Sequence, residues 1–116
     1  MDIEGKKKYL SGYQENKRAA RRLEEEMEEL NEAAVGIEHK VQQNLMESVI
    51  RERYRRIEKF VEIRNKIEGM ENEKEKDALM YRHIKGYTEE RAAECMGYTK
   101  RQFQRIYKRA VEHLEV

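Results

Sequence analysis

The chain has 116 residues, of which 42% are charged and 38% hydrophobic, with six glycines and neither proline nor tryptophan. This composition is typical of long solvated helices and predicts an all-α fold. The chain is about one domain long, so a large enclosed active site is not expected. No apolar run approaches the roughly 18 residues of a membrane span, and the start "MDIEGKKKYL" has no apolar signal-peptide core. We therefore expect a cytoplasmic protein with no membrane partner.

Few residues point to site chemistry. A single cysteine, Cys95, excludes an internal disulfide, and we expect it to be a small core residue. The three histidines lack metal-ligand spacing, and we expect His83 and His113 to lie at the surface or to be partly packed. No Ser/His/Asp order and no phosphate-cradling glycine loop occurs. The sequence predicts no enzyme, no metal site and no cofactor.

Apolar or small residues recur every three or four positions in the first forty residues, which predicts a long helix. Asn16 occupies a polar position within this stripe. An alternative start is a capping box of Ser11 and Gln14, which would leave residues 1–10 as a mobile basic arm. The stripe consists of Tyr13, Ala20, Leu23, Met27, Leu30, Ala34 and Ile37.

A second stripe predicts a second long helix, and Gly36 between the two can end the first helix and reverse the chain. A continuous kinked helix in a larger coiled coil is the alternative. We interpret residues 1–70 as an antiparallel, coiled-coil-like hairpin for assembly or partner contact, with self-association through residues 13–70. The second stripe consists of Ile50, Tyr54, Ile57, Val61, Ile67 and Met70, widened by Phe60 and Ile63.

Charge comes in blocks although the net charge is only +1. Residues 6–22 hold seven Lys or Arg and one Glu, residues 24–32 hold six Glu and no base, and residues 51–59 are again basic. In an antiparallel hairpin the acidic block faces residues 51–59. The basic residues 6–22 then face Glu58, Glu62, Glu68, Glu71, Glu73 and Glu75.

Residues 71–116 contain three helix patterns and form a second predicted domain. Gly69 ends the hairpin, and Asn72 with Glu75 caps a helix from Glu73 to Ile84 that Gly86 stops. Thr88 caps the next helix, which has two acids in its first turn, an apolar face of Ala92, Ala93, Cys95 and Met96, and an end at Gly97. Thr99 and Gln102 then form a capping box for a third helix, whose five basic residues from 100 to 109 are accompanied by no acid.

A short helix, a tight glycine turn and a helix with a cationic outer face constitute a helix-turn-helix. Arg pairs with guanine and Gln with adenine in the major groove, so Arg101, Gln104 and Arg105 are the predicted base readers. Lys100, Lys108 and Arg109 are expected to contact phosphates. The predicted DNA-binding residues are Thr88, Arg91, Thr99, Lys100, Arg101, Gln104, Arg105 and Lys108.

The stretch "LMYRHIKGYTEERAAECMGYTKRQFQRIYKRAVEHL" resembles region 4 of the sigma-70 family and the related small phage regulators of the ArpU and RinA kind. The resemblance implies that Lys100, Arg101, Gln104 and Arg105 contact promoter bases. The hairpin would then serve either assembly or contact with RNA polymerase. Arg101 stands where the family often has an acid, so the family's target sequence does not transfer. Nothing resembles sigma region 2, so a complete sigma factor is not expected.

The leading hypothesis is a sequence-specific transcription regulator of phage or mobile-element origin that binds double-stranded DNA with residues 99–114. Two alternatives remain at this point. A small subunit of a phage terminase, the DNA-packaging machine, also combines a helix-turn-helix with a helical hairpin. A coiled-coil adaptor would use the same helices on a protein partner and would bind no DNA.

Overall fold

The computed structural model describes residues 1–33 and 38–116, and these residues form helices joined by short turns, with no strand among them. The prediction of an all-α fold, with an N-terminal antiparallel hairpin followed by a helix-turn-helix unit, is confirmed. The predicted turn at Gly36 and the stripe positions Ala34 and Ile37 lie outside the described residues. In chain order the helices are α1 (Ile3–Glu32), α2 (His39–Glu68), α3 (Glu73–Leu79), a π-helical segment (Met80–Ile84), α4 (Glu89–Met96) and α5 (Lys100–His113).

Helix α1 begins near the start of the chain. The Asp2 carboxylate accepts a hydrogen bond of 2.7 Å from the Gly5 amide and caps the helix at Ile3. The alternative start at a Ser11 capping box is therefore wrong, because residues 3–10 are helical and Leu10 is fully buried. Lys6 also anchors this end of α1, since its ammonium donates to the Glu112 carbonyl at 2.7 Å.

Gly12 lies inside α1, where α1 and α2 approach closely. A Cβ atom at this position would lie 3.2 Å from Cδ1 of Ile63, which is closer than ordinary van der Waals contact. The glycine lowers the helix propensity of α1 by about 1 kcal/mol relative to alanine. The missing side chain at Gly12 leaves room for the buried Ile63 side chain of α2.

The inward face of α2 differs from the predicted stripe. Val49, Ile63 and Ile67 are buried, whereas Tyr54 is 63% exposed and Val61 is 41% exposed, so the placement of these two residues in the seam was wrong. The helix is rotated so that two arginines lie along the seam instead. Their aliphatic stems can cover apolar surface while their guanidinium groups find polar partners.

Those partners come from polar positions of α1. Arg56 donates to the Asn16 amide oxygen at 3.1 Å, and Asn16 donates to the Gly12 carbonyl at 2.7 Å. Arg53 lies 3.7 Å from the Glu24 carboxylate, and within residues 1–33 and 38–116 this is the one ion pair between α1 and α2. The predicted pairing of the acidic block with residues 51–59 thus rests on one contact in the described chain.

The second predicted set of charge pairs is not formed among the described residues. No ion pair joins residues 6–22 of α1 to the six glutamates predicted to face them. Glu75 is instead buried and bonds to the His113 imidazole at 2.5 Å, which ties α3 to the end of α5.

One apolar cluster joins the hairpin to the C-terminal helices. The base of the hairpin contributes four buried side chains and the C-terminal helices contribute four more, so the two predicted segments 1–70 and 71–116 share this core. A second cluster lies under α4 and α5 and contains Ala78, Ala92, Ala93 and Phe103. The members of the first cluster are Leu10, Tyr13, Ile63, Ile67, Leu79, Ala110, Val111 and Leu114.

Candidate nucleic-acid interface

The π-helical segment sets the direction in which α4 leaves the core. The Lys85 amide donates to the Met80 carbonyl at 2.9 Å, and Gly86 follows with a φ of +72°, a left-handed conformation that glycine adopts without strain. Gln14 of α1 stabilises this exit, because its side-chain amide donates to the His83 carbonyl at 3.2 Å and to the Ile84 carbonyl at 2.8 Å. The hairpin therefore holds the joint that orients the helix-turn-helix.

A half-buried histidine joins the same segment to α5. The His83 imidazole lies 2.7 Å from the Tyr107 hydroxyl, and the two rings lie 5.6 Å apart between centroids. Burial, with a smaller contribution from the Arg82 charge, lowers the pKa of His83 to about 4. The expectation that His83 is a surface or partly packed residue agrees with its half-buried position, but it did not include the bond to Tyr107.

Helix α4 is capped at both ends as its sequence predicts. The Thr88 hydroxyl oxygen accepts from the Arg91 amide at 3.2 Å. At the other end Gly97 has a φ of +75°, the Tyr98 amide donates to the Ala93 carbonyl, and the Gly97 amide donates to the Glu94 carbonyl. This is the pair of bonds of a Schellman motif, so the chain turns sharply after Gly97.

Helix α5 starts three residues later, at Lys100, with a complete capping box. The Gln102 amide donates to the Thr99 hydroxyl oxygen at 3.2 Å, and the Thr99 amide donates to the Gln102 side chain at 2.9 Å. Phe103 is fully buried against Ala92 and Ala93, whose small side chains allow the two helices to pack closely. The start and the rotation of α5 are therefore fixed by local bonds and by one aromatic anchor.

Cys95 is exposed, so its prediction as a small core residue was wrong. The inward face of α4 is formed by Ala92, Ala93 and the partly buried Met96. At 100° per residue this places Cys95 on the flank of the helix rather than in the core. The periodicity of an eight-residue helix was too short to separate the two positions.

Acidic side chains of α4 lie next to the outer face of α5, although the sequence of α5 from residue 100 to 109 contains no acid. The Lys100 ammonium lies 2.7 Å from the Glu90 carboxylate, and the Gln104 amide donates to the Glu89 carboxylate at 2.9 Å. The bond from Lys100 lowers the pKa of Glu90, and the bond to Glu90 raises the pKa of Lys100. Both side chains are therefore charged at neutral pH, and two predicted DNA contacts are paired with acids of α4.

The contacts of Glu89 and Glu90 with α5 were not predicted from the sequence. The two acids fit the positive end of the α4 dipole, which accounts for them within their own helix. Their reach across to α5 depends on the crossing of the two helices at Ala92 and Phe103, which no local pattern specifies. These two glutamates are the site residues that sequence reasoning missed.

Three predicted DNA-binding residues remain unpaired on the exposed surface. Within the part of the chain that the structure describes, the side chains of Arg101, Arg105 and Lys108 make no ion pair or hydrogen bond. Each lies about one helical turn from the next on α5, and all three project long cationic groups into solvent. Their positions 101, 105 and 108 follow the i, i+4, i+7 spacing of one helix face.

The other predicted residues lie at the starts of α4 and α5. Thr88 and Thr99 use their hydroxyl oxygens as helix caps, and the Thr99 hydroxyl proton stays able to donate to a phosphate. The Arg91 guanidinium lies 3.9 Å above the Tyr87 ring, where a cation–π interaction holds it at the start of α4. The predicted residues thus lie at the starts of α4 and α5 and on the outer face of α5, and the contacts of Glu89 with Gln104 and of Glu90 with Lys100 join the two helices there.

The described helices include none that is both long enough and apolar enough to cross a membrane. In comparisons with known proteins, the chain matches no protein-family model, no curated protein and no solved structure.

Proposed function

We propose that this protein is a sequence-specific DNA-binding transcription regulator that inserts α5 into the major groove. Arg101 and Arg105 contact bases, Lys108 contacts phosphate, and the start of α4 contacts the neighbouring strand through Thr88 and Arg91. The observation that carries the proposal is the set of unpaired cations on one face of a helix whose start and rotation are fixed. A major groove roughly 12 Å wide accepts such a helix.

Side-chain chemistry supports these roles. A guanidinium group donates two parallel hydrogen bonds to the O6 and N7 atoms of guanine, which distinguishes a G·C pair from the others. An ammonium group is a point charge that suits a phosphate of any sequence. Arg105 lies near the middle of the exposed face, and we assign it to base contacts. Lys108 lies about one turn further along α5, and we assign it to the phosphate backbone.

Helix-turn-helix packing gives the proposal its geometry. The capping box at Thr99 positions the first turn of α5, and the buried Phe103 sets which side chains face outward. The resemblance of residues 75–114 to region 4 of the sigma-70 family supports the same assignment of Arg101 and Arg105. The origin in a phage or mobile element belongs to this proposal and rests on that resemblance alone.

Selection of bound sites from a random pool of double-stranded DNA tests the proposal. We expect one enriched motif with guanine at one or more positions. A pool without enrichment would show that binding is not sequence-specific, and an absence of any binding at low salt would favour the protein-adaptor function instead. The molar mass of the free protein in solution adds a second test, because a large ring is expected of a terminase small subunit and not of this regulator.

Two substitutions then separate base contacts from phosphate contacts on the selected site. Arg105→Ala should cost about 1 to 3 kcal/mol of binding free energy and flatten the preference at one position. Lys108→Ala should weaken binding to all sequences alike and reduce the salt slope by about 0.9. Arg51→Ala, which removes an exposed cation of α2 far along the hairpin, is the matched control and should leave both quantities unchanged.

A further inference from the structure

A second basic surface lies beside α4, in a groove between the two hairpin helices and the π-helical segment. Its lining includes five cationic side chains, and none of the described residues that line it is acidic. We call it the basic groove. Its cations are Lys17, Arg18 and Arg21 of α1, Arg64 of α2, and Lys85 after the π-helical segment.

Most of this positive charge is uncompensated. Arg64 bonds to the Glu68 carboxylate at 3.1 Å. The other four cations make no ion pair with any residue in the described ranges, and Lys17 has only the Tyr13 ring 5.7 Å from its ammonium. Clustered like charges repel one another in the free protein, and a bound anion relieves that repulsion. The acidic block of α1 lies further along the hairpin, where Glu24 meets Arg53.

The basic groove reaches the start of α4 and so adjoins the proposed DNA-binding surface. Tyr87 lines the groove and directly precedes the Thr88 cap, and the Arg91 guanidinium lies on its ring. One residue after the cap, Glu89 bonds to Gln104 of α5. A single turn of α4 therefore separates the groove from the outer face of α5.

We propose that the basic groove binds the phosphodiester backbone of duplex DNA beyond the segment that α5 reads. This inference rests on the proposed function, because the groove would bind the continuation of the duplex that α5 binds. Residues 17–21 span about 6 Å along α1, and each DNA strand carries one phosphate per about 3.4 Å of helix axis. The three cations of α1 thus match about two phosphates, and the hairpin becomes part of the DNA-binding surface.

Duplex length provides the test. Binding is measured by fluorescence anisotropy from about 50 to 200 mM salt, on the selected site within a duplex of about 12 base pairs or about 30 base pairs, that is, about one turn or three. Two added phosphate contacts steepen the slope of log affinity against log salt by about 1.8 on the long duplex. Over this range the long-duplex affinity should then fall about twelvefold more than the short-duplex affinity.

The variant K17Q/R18Q/R21Q should abolish the difference between the duplexes and leave short-duplex binding unchanged. Glutamine keeps much of the aliphatic stem and the helix propensity, so α1 should remain folded, and the thermal midpoint checks this. The matched control K40Q/R51Q/K59Q removes the same number of charges from exposed positions of α2. It should retain the steeper long-duplex slope.

The possible failures are distinguishable. A wild-type protein that binds neither duplex refutes the proposed function. A wild-type protein that binds both duplexes with equal slopes refutes the role of the basic groove and leaves the proposed function standing. An equal loss on both duplexes in the K17Q/R18Q/R21Q variant, or the same long-duplex loss in the control variant, also refutes the groove, because it indicates a general effect of charge.

Discussion

The contact between Glu90 and Lys100 determines how many cations are unpaired on the proposed DNA-binding face of α5. Its 2.7 Å distance and the opposite shifts of the two pKa values indicate a charged pair at neutral pH. Glu90→Gln removes the carboxylate charge at nearly constant size. We expect Lys100 to be released to a phosphate, so that DNA binding becomes tighter at low salt and more sensitive to salt.

The magnitude follows from a count of cations. The outward bases of α5 other than Lys100 are Arg101, Arg105, Lys108 and Arg109. If these make about four contacts on a short duplex, the slope of log affinity against log salt is roughly −3 to −4. A fifth contact adds about −0.9, so the ratio of variant to wild-type affinity should change about threefold between about 50 and 200 mM salt.

The assay is a salt series of anisotropy titrations on the short duplex, with Lys100→Gln made in both backgrounds. In the wild type Lys100→Gln should change the slope little, whereas in the Glu90→Gln background it should remove about 0.9. Glu94→Gln, which neutralises an exposed acid of the same helix, is the control for net charge. Equal slopes for Glu90→Gln and Glu94→Gln, or equal effects of Lys100→Gln in both backgrounds, would refute the reasoning.

Two further predictions concern stability. Because the folded-state pKa of His83 is lowered from 6.5 to about 4, folding favours the neutral imidazole. The contribution of His83 to the free energy of unfolding is complete above pH 6.5. It is lost as the pH falls towards 4, and the total loss is about 3 kcal/mol. Urea unfolding between these pH values should show this loss in the wild type and not in His83→Gln. His39→Gln, at an exposed histidine, is the control and should keep the loss. A pH dependence in His83→Gln equal to that of the wild type would contradict the prediction. Gly97→Ala should cost about 1 kcal/mol, because φ is +75° while a Cβ would meet no atom within 4 Å. The thermal midpoint should fall by about 4 °C, and less for Gly97→Asn; an unchanged midpoint for Gly97→Ala would mean that the left-handed turn costs nothing.

Local signals predicted the helix boundaries of the C-terminal half well. Asn72, Thr88 and Thr99 all cap helices in the structure, and Gly97 ends α4. Each of these features depends on bonds between residues a few positions apart, so a short stretch of sequence contains all the partners. The positions of the predicted DNA-binding residues at the start of α4 and on α5 follow from the same caps.

The rotation of α2 could not be predicted in the same way. A stripe through Tyr54 and Val61 and a face that includes Arg53 and Arg56 both have helical spacing, and the first is the more apolar. The structure takes the second because Asn16 and Glu24 of α1 provide partners for the two arginines. Which face of α2 packs against α1 therefore depends on residues 29 to 40 positions away in the sequence. The periodicity within one helix contains no information about them.

The shared apolar cluster also limits how this protein can be divided or recombined. The predicted boundary between residues 70 and 71 falls in the short turn between α2 and α3, but a cut there would expose Ile67 on one fragment and Leu79 and Val111 on the other. Exposed apolar surface of this kind favours aggregation over independent folding. The helix-turn-helix is therefore not an exchangeable cassette, and a chimaera that moves it to another protein would have to carry the base of the hairpin along.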